Sequence, residues 1–246
     1  MRVAFYTLGC KVNQYETEVL SARFAAEGFD VVPGHAPGCD VYVVGSCPVT
    51  AEGDRKTRQA VRRFRRENPG AIVVLTGCYP QAFPREAAAV TEADIITGAR
   101  NRAALPQLVR AFSLDRQRIV SIPQHEKGED FESCSAADFG VRTRAFLKIQ
   151  DGCDNWCSYC IIPAARGPVR SKPMPELQSE LLTLARNGYR EIVLTGINLS
   201  NYGREWGLHL SDAVLAAAAT PGVERVRLGS IEPDLLTPQE IYRLAE

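Results

Sequence analysis

Short apolar runs alternate with helical patterns along the first hundred residues of the chain. The apolar runs have the length and β-branched content of buried strands, and they lie at residues 2–7, 41–44, 71–76 and 94–97. Amphipathic patterns typical of helices follow at residues 14–27, 50–67 and 103–112, with a further helix after Pro80. This alternation predicts a parallel sheet covered by helices on both faces.

Residues 113–143 interrupt the alternation. One possible strand lies at residues 118–122, and a stretch without hydrophobic periodicity follows it, with acidic residues at Glu126, Glu129, Asp130, Glu132 and Asp138. Such a stretch is typical of a linker. We therefore expect an N-terminal domain over residues 1–112, a linker over residues 113–143 and a second domain over residues 144–246.

A second alternating region begins at Arg144. Strands are predicted at residues 145–149, 191–195 and 223–228, and helices at residues 175–187 and 211–219, with a last helix opened by Pro238. The chain is therefore predicted to be an α/β protein, in which an open parallel sheet with flanking helices precedes a second α/β region. Its hydrophobic fraction of 45% and charged fraction of 24% disfavour a disordered or fibrous chain.

Charge and hydropathy indicate where in the cell the protein is expected and which partners are disfavoured. Lys and Arg together number 29, as do Asp and Glu, so the chain has no bulk attraction for nucleic acid. No apolar run is long enough to span a membrane, and the chain enters its first strand without a signal sequence. We expect a cytoplasmic protein with no membrane partner.

One predicted helix is strongly basic despite the balanced total charge. It carries Arg55, Lys56, Arg58, Arg62, Arg63, Arg65 and Arg66. These side chains either contact nucleic-acid phosphates or form a solvated face around an apolar stripe of Ala60, Val61 and Phe64. The sequence leaves both interpretations open.

Eight cysteines are unusual for a protein of a reducing compartment, where such a set more often binds metal or carries out redox chemistry than forms disulfides. Three of them follow predicted strands after small residues, in Leu8-Gly9-Cys10, Gly45-Ser46-Cys47 and Thr76-Gly77-Cys78. The carboxyl ends of parallel strands share one sheet edge, so these cysteines are predicted to converge there. Three thiolates suit a metal or an iron–sulfur cluster, and the alternative is three separate buried structural cysteines.

The second group of cysteines lies close together in the sequence. Cys153, Cys157 and Cys160 directly follow the strand predicted at residues 145–149. Three such thiolates can hold three irons of a cubane cluster and leave the fourth iron open to another ligand. A zinc knuckle or a structural role is the alternative. Cys39 and Cys134 fit neither group, and we expect both to be unligated.

The spacing of the second group, with Tyr159 before its last cysteine, resembles the radical S-adenosylmethionine superfamily. The opening Thr7-Leu8-Gly9-Cys10-Lys11-Val12-Asn13 narrows the resemblance to the methylthiotransferase family. Further matching segments extend it over nearly the whole chain, at residues 77–81, 151–153, 162–163, 166–167, 194–196 and 230–233. Residues 8–16 most resemble the branch that modifies N6-threonylcarbamoyladenosine at tRNA position 37.

This resemblance implies a set of cofactors and partners. It implies two [4Fe-4S] clusters, one on each group of three cysteines, and S-adenosylmethionine bound at the second cluster. It implies transfer of a methylthio group to C2 of the modified adenosine in the anticodon loop of a tRNA, with a reductant such as flavodoxin or ferredoxin. Tyr159, Gly196 and Asn198 are candidate cofactor contacts, although glycines at strand ends are also common turn residues, and no side chain is assigned as a catalytic acid or base.

The chain departs from the family pattern in length and in two motifs. Only the first half of the superfamily's partial (β/α) barrel fits after residue 144, so we expect a truncated chain without the later barrel strands and the C-terminal RNA-binding domain. Gly45-Ser46-Cys47-Pro48 and Pro168-Val169 also depart from the pattern. Two alternatives remain, a methylthiotransferase acting on ribosomal protein S12 and an iron–sulfur module without turnover.

Overall fold

A computed structural model describes residues 1–34, 36–132 and 143–245 of the chain. The chain divides into two units. The first unit comprises Met1–His125 and Trp156–Arg166, and the second unit comprises Glu126–Asn155 and Gly167–Glu246. Each unit contains a parallel sheet with helices, which confirms the predicted α/β class.

The first unit is built on a six-stranded parallel sheet. Its strands are β1 (Arg2–Thr7), β2 (Asp30–Val32), β3 (Val41–Ser46), β4 (Ile72–Gly77), β5 (Ile95–Thr97) and β6 (Ile119–Ser121). Their order across the sheet is β2-β1-β3-β4-β5-β6. The chain therefore adds β2 on one side of β1 and then returns to add β3 on the other side. Ligands of open α/β sheets bind at such a reversal, outside the carboxyl ends of the strands.

Helices cover both faces of this sheet. They are α1 (Lys11–Ala26), α2 (Ala51–Glu67), α3 (Cys78–Ala82), α4 (Pro84–Ala88), α5 (Leu105–Asp115) and α6 (Ile162–Arg166). One apolar cluster joins Phe64 of α2 to Tyr42 and other residues of the central strands. A second cluster joins Phe24 of α1 and Leu105 of α5 to the same sheet. The predicted arrangement of helices on both faces is confirmed.

One edge strand and the helix near Pro80 differ from the sequence prediction. β2 was not predicted, because it is three residues long and begins with the exposed Asp30. β6 matches the possible strand at residues 118–122, and it pairs with β5 through Ile95 and Ile119, so the sheet extends into the segment predicted as a linker. The helix expected after Pro80 is two short helices, α3 and α4, and the first of them already begins at Cys78.

The second unit contains the three strands predicted after residue 144. β7 (Arg144–Lys148), β10 (Glu191–Thr195) and β11 (Arg225–Leu228) form a parallel sheet in the order β11-β10-β7, and β8 (Gln150–Asp151) pairs with β9 (Arg170–Ser171). The helices are α7 (Met174–Arg186), α8 (Leu210–Ala218) and α9 (Pro238–Ala245). No helix among the described residues has both the length and the apolar composition of a membrane span.

Part of the acidic stretch predicted as a linker packs in the second unit. The Phe131 side chain is buried, and its ring lies 5.3 Å from Nζ of Lys148. Glu129 pairs with Arg170 at 2.9 Å. This stretch therefore contributes both apolar and charged contacts near the end of β7. Cys134 and Asp138 lie outside the described residues.

Candidate cluster-binding site

Cys10, Cys47 and Cys78 lie at one edge of the six-stranded sheet. They follow β1, β3 and β4, which are neighbours in the sheet. Because the three strands are parallel, the cysteines emerge on the same edge. Two of them flank the reversal between β1 and β3, where the fold favours a ligand.

Asn13, in the first turn of α1, lies among these cysteines. Its Oδ1 accepts the backbone N–H of Cys10 at 3.3 Å and the thiol of the same residue at 3.2 Å. Its Nδ2 lies 3.9 Å from Sγ of Cys78 and 3.4 Å from the carbonyl oxygen of Ser46. One buried amide therefore touches two of the cysteines and the residue before the third. Asn13 is part of the family motif but is not among the predicted site residues.

Two glycines allow the cysteine turns to approach one another. Gly9 and Gly77 have φ values of 123° and 102°, a region that side chains rarely adopt. A Cβ on Gly9 would lie 2.9 Å from Cβ of Cys47, and one on Gly77 would lie 2.9 Å from the carbonyl oxygen of Ser46. Glycine is therefore required at both positions, because the backbones approach closely there and because the turns have positive φ.

The three thiols range from buried to exposed. Cys78 is 2% exposed, Cys47 is partly buried and Cys10 is exposed. Burial raises the pKa of Cys47 and of Cys78, while the positive charge of Arg166 acts against this rise at both. The metal-free protein therefore favours the thiol form at these positions, and a metal that binds there must displace the protons.

Three thiols that follow adjacent strands are a set of donors that suits an iron–sulfur cluster. Among the described residues, no three His, Cys, Asp or Glu side chains approach closely enough to coordinate one metal ion. A cube takes each sulfur on a different iron, so its ligands are spaced more widely. The three cysteines have free thiols and follow three adjacent strands. A Cβ added to Gly9 would lie 2.9 Å from Cβ of Cys47 and would narrow the space between Cys47 and the Gly9 turn.

A buried ion triad lies beside the three cysteines. Both guanidinium Nη atoms of Arg102 donate to the Glu16 carboxylate at 2.8 Å, and Arg166 of α6 donates to the same carboxylate. None of the three side chains is more than 8% exposed. Sequence analysis missed this triad. The only signal was that Glu16 and Arg166 fall in segments that match the family.

The second group of cysteines is divided between the two units. Cys157 and Cys160 belong to the first unit, where the Cys160 N–H donates to the Cys157 carbonyl at 2.9 Å, and Cys153 belongs to the second unit. Tyr159 is 89% exposed and Trp156 is 71% exposed. Joint ligation by the three cysteines therefore stays a prediction from their spacing.

Gly196 and Asn198 follow β10 in the second unit, where Gln150 fixes their backbone. The Gln150 Oε1 accepts the backbone N–H groups of Ile197 at 2.9 Å and Asn198 at 2.8 Å. A Cβ on Gly196 would lie 2.9 Å from that oxygen. The side-chain Oδ1 of Asn198 is buried and has no hydrogen-bond partner among the described residues. This turn can therefore offer a polar ligand an unused acceptor, and Gln150 is a site residue that sequence analysis missed.

The basic helix α2 is largely compensated by acidic neighbours. Among the described residues its ion pairs are Arg55 and Lys56 with Glu52, Arg58 with Asp54, Arg62 with Glu92, Arg65 with Asp94, and Arg66 with Glu67. Its apolar stripe of Ala60, Val61 and Phe64 is buried, as predicted. A groove of about 460 Å³ remains beside the helix, lined by Tyr6, Lys56, Gln59, Ala60, Arg62, Arg63 and Arg66.

Comparisons with known proteins support the resemblance. Residues 2–98 match the sequence profile of Uncharacterized protein family UPF0004. Threonylcarbamoyladenosine tRNA methylthiotransferase MtaB of Bacillus subtilis is 40% identical over 241 residues, which is 97% of this chain and 53% of that protein. MtaB of Aquifex aeolicus is 37% identical over 94% of this chain and 56% of that protein. The predicted resemblance to the methylthiotransferases is confirmed, and the chain spans about half the length of these relatives.

A relative from another branch and a solved structure extend the comparison. The tRNA-2-methylthio-N(6)-dimethylallyladenosine synthase of Clostridium tetani is 29% identical over 98% of this chain and 54% of its own length. The structure of the radical S-adenosylmethionine methyltransferase TsrM from Kitasatospora setae matches with a TM-score of 0.68 and 17% identity, over 99% of this chain and 57% of that one. At this identity the structural likeness shows a shared fold.

Proposed function

We propose that this chain carries the cluster-binding regions of a radical S-adenosylmethionine methylthiotransferase that modifies tRNA. The observation that carries the proposal is the convergence of Cys10, Cys47 and Cys78 at one sheet edge around Asn13. The methylthiotransferase relatives align over nearly the whole chain, so both groups of cysteines lie within the matched length.

In the first unit, Cys10, Cys47 and Cys78 would hold one [4Fe-4S] cluster. Their backbone turns are set by Gly9 and Gly77. The Nδ2 of Asn13 is placed to donate to the ligating sulfur of Cys78, while its Oδ1 accepts the backbone N–H of Cys10. Burial of Cys78 excludes water from one side of the site, while exposure of Cys10 leaves the other side accessible. Such a site is closed around its ligands and open toward a reaction partner.

Cys153, Cys157 and Cys160 would hold the second cluster, with S-adenosylmethionine as the ligand of its open iron. When bound, this pair supplies the electron and the radical chemistry that the protein's side chains lack. Asn198 offers its unpaired Oδ1 to the amino-acid part of the cofactor, and Gly196 keeps the turn open beside Gln150. Tyr159 remains a proposed cofactor contact.

The proposed substrate is N6-threonylcarbamoyladenosine at position 37 of tRNA, modified at C2. Five relatives named threonylcarbamoyladenosine tRNA methylthiotransferase MtaB are 28–40% identical to this chain, three of them at 37–40%, and the dimethylallyladenosine synthase is 29% identical. A reductant such as flavodoxin or ferredoxin would supply electrons. We further propose a methylthiotransferase domain over residues 1–112, a linker over residues 113–143 and a radical S-adenosylmethionine domain that begins at residue 144.

Iron and sulfide analysis after anaerobic reconstitution tests the two-cluster proposal. We expect iron for two cubes in the intact chain and for one cube in each of two variants, C10A/C47A/C78A and C153A/C157A/C160A. Cys39, which is buried and donates its thiol to the Ala36 carbonyl at 3.3 Å, provides the control, since Cys39→Ala should leave the iron content unchanged. Zinc in place of iron, or iron for a single cube that survives the first triple substitution, would contradict the proposal.

Two further measurements separate the alternatives. Formation of 5′-deoxyadenosine from S-adenosylmethionine by the reduced protein is expected for an enzyme and not for an inert iron–sulfur module. Loss of the methylthio group from tRNA nucleosides in a deletion strain, with the mass of ribosomal protein S12 unchanged, is expected for the tRNA-modifying branch. The opposite pattern would identify the branch that acts on S12.

A further inference from the structure

The Glu16–Arg102–Arg166 triad is a costly element in the interior of the first unit. Bringing three charges out of water costs about as much free energy as their mutual attraction returns, and apolar residues of similar volume often stabilise a fold equally well. In the triad two arginines share the carboxylate of Glu16. Stability of the fold is therefore a weak explanation for it.

The triad lies directly beside the candidate cluster site. Glu16 follows Asn13 by three residues on α1, so both lie on one face of that helix. Asn13 contacts Cys10 and Cys78. Arg166 ends α6, which packs against α3, and α3 begins at Cys78. The ion triad thus adjoins the cysteines through two separate helices.

We propose that this triad compensates the negative charge of a cluster on Cys10, Cys47 and Cys78 and raises its reduction potential. The inference rests on the cluster proposed above. A cube bound by three thiolates carries net negative charge, and its reduction adds one electron to that charge. Buried positive charge nearby favours the reduced form, because net charge and surrounding polar groups set the potentials of iron–sulfur clusters.

The proposal predicts opposite effects from neighbouring substitutions. Arg166→Gln removes a positive charge and should make the reduction potential more negative. Glu16→Gln removes a negative charge and should make it more positive. The double variant E16Q/R166Q has the same net charge as the native triad, so its potential should return close to the native value. A purely structural role would not reverse sign between the two single variants.

The measurement is a redox titration with dithionite, followed by electron paramagnetic resonance. It is made on the full chain with C153A/C157A/C160A, so that one cluster is present. Arg166→Lys retains the charge and should leave the potential near the native value. The matched control is Asp94→Asn, which removes the same charge as Glu16→Gln from a residue paired with Arg65. Asp94 immediately precedes β5, at the sheet edge opposite the cysteines, so the potential should not shift in this variant.

The outcomes distinguish this inference from the proposed function. A parent protein that binds no iron would contradict both. A parent with a cluster whose potential moves in the same direction, or does not move, in the Arg166 and Glu16 variants would overturn the charge-compensation inference alone. Arg102→Gln provides a second removal of positive charge if Arg166→Gln does not fold. Loss of the cluster in all triad variants, with Asp94→Asn unaffected, would assign a structural role and also overturn the inference.

Discussion

At the scale of residues, single glycines control how closely the cysteine turns approach each other. Gly9 combines a φ of 123° with a Cβ position only 2.9 Å from Cβ of Cys47. Gly28 also has a positive φ, 82°, but nothing lies within 4 Å of the position of its added Cβ. A comparison of substitutions at the two glycines therefore distinguishes the effect of backbone strain from the effect of contact with the cysteine site.

We expect Gly9→Ala and Gly28→Ala to differ in iron binding. Both should lower the free energy of unfolding by about 1 kcal/mol or more, because alanine is strained at positive φ. Only Gly9→Ala should also reduce the iron bound by Cys10, Cys47 and Cys78. Urea unfolding and iron analysis in the C153A/C157A/C160A background would measure the two effects. Equal iron loss in both variants would show that strain alone, rather than contact, controls the site.

Tyr202 is a buried residue whose ionisation should affect stability at alkaline pH. Its hydroxyl donates to the Lys172 carbonyl at 3.0 Å. Burial, with smaller effects of Asp212 and Glu205, raises the pKa of Tyr202 well above its usual range. Because the folded pKa exceeds the unfolded one, the neutral hydroxyl contributes stability that is fully present below about pH 10 and is lost as pH rises further.

Tyr202→Phe should therefore make stability less sensitive to high pH. We expect the variant to be less stable than the native chain by about 1 kcal/mol near neutral pH, because it loses one hydrogen bond. Its free energy of unfolding should fall less steeply than the native value between about pH 9 and pH 11. Urea unfolding across this range measures both, with the exposed Tyr242→Phe as control. A native slope no steeper than that of Tyr202→Phe would refute this account.

At the scale of elements, two neighbouring arginines at the end of α2 have different surroundings: Arg65 binds the segments that follow the helix, and Arg66 is exposed. Arg65 donates to the carbonyl oxygens of Pro69 at 3.0 Å and Ala71 at 2.9 Å and pairs with Asp94. It therefore fixes the end of the helix to the segments that begin β4 and β5. Arg66 is 77% exposed, and its guanidinium lies 3.9 Å from the carboxylate of Glu67.

These neighbouring arginines should respond differently to substitution. Arg65→Ala removes the side-chain donor of the partly buried Ala71 carbonyl and the ion-pair partner of Asp94, so we expect it to lower the free energy of unfolding by about 1–3 kcal/mol. Arg66→Ala should change it by no more than about 0.5 kcal/mol. Thermal or urea unfolding of the two variants is the measurement. Similar losses in both would mean that α2 depends on its total charge instead of on the contacts of Arg65.

At the scale of the whole molecule, both units place polar residues after the carboxyl ends of parallel strands. The first unit places Cys10, Cys47 and Cys78 there, and the second places Gly196 and Asn198 after β10. The total charge is balanced, yet the groove beside α2 collects Lys56, Arg62, Arg63 and Arg66. Lys56, Arg62 and Arg66 also lie within 4 Å of carboxylates, so a polyanion that binds in this groove must compete with these acidic neighbours.

If tRNA phosphates bind in this groove, substitution of its arginines should change the salt dependence of tRNA binding. Replacing Arg62, Arg63 and Arg66 with Ala should make the slope of log K against log salt less steep, by about 0.9 for each phosphate that is no longer neutralised. Arg65 is left intact because its role is structural. Replacing the exposed Arg85 and Arg186 is the control and should leave the slope unchanged. An unchanged slope in the groove variant would exclude phosphate binding there.

Local sequence patterns were sufficient to predict β1, β3 and β4 and the cysteine that follows each of them. Apolar runs mark β1, β3 and β4, and a glycine or serine before each cysteine marks the turn that follows. Because parallel strands end at a common edge, the position of each cysteine along its own strand already predicts where the three meet.

The residues that surround this edge come together only through packing. Glu16 pairs with Arg102 and Arg166, which lie 86 and 150 residues away in the sequence. Gln150 accepts the N–H of Asn198, 48 residues further along. No periodicity links such partners, because their contacts depend on how helices and turns pack after the strands have assembled. Pattern and motif alone were enough to predict the likeness to methylthiotransferases and the common sheet edge of Cys10, Cys47 and Cys78, whereas the charges and hydrogen bonds around that edge depend on packing.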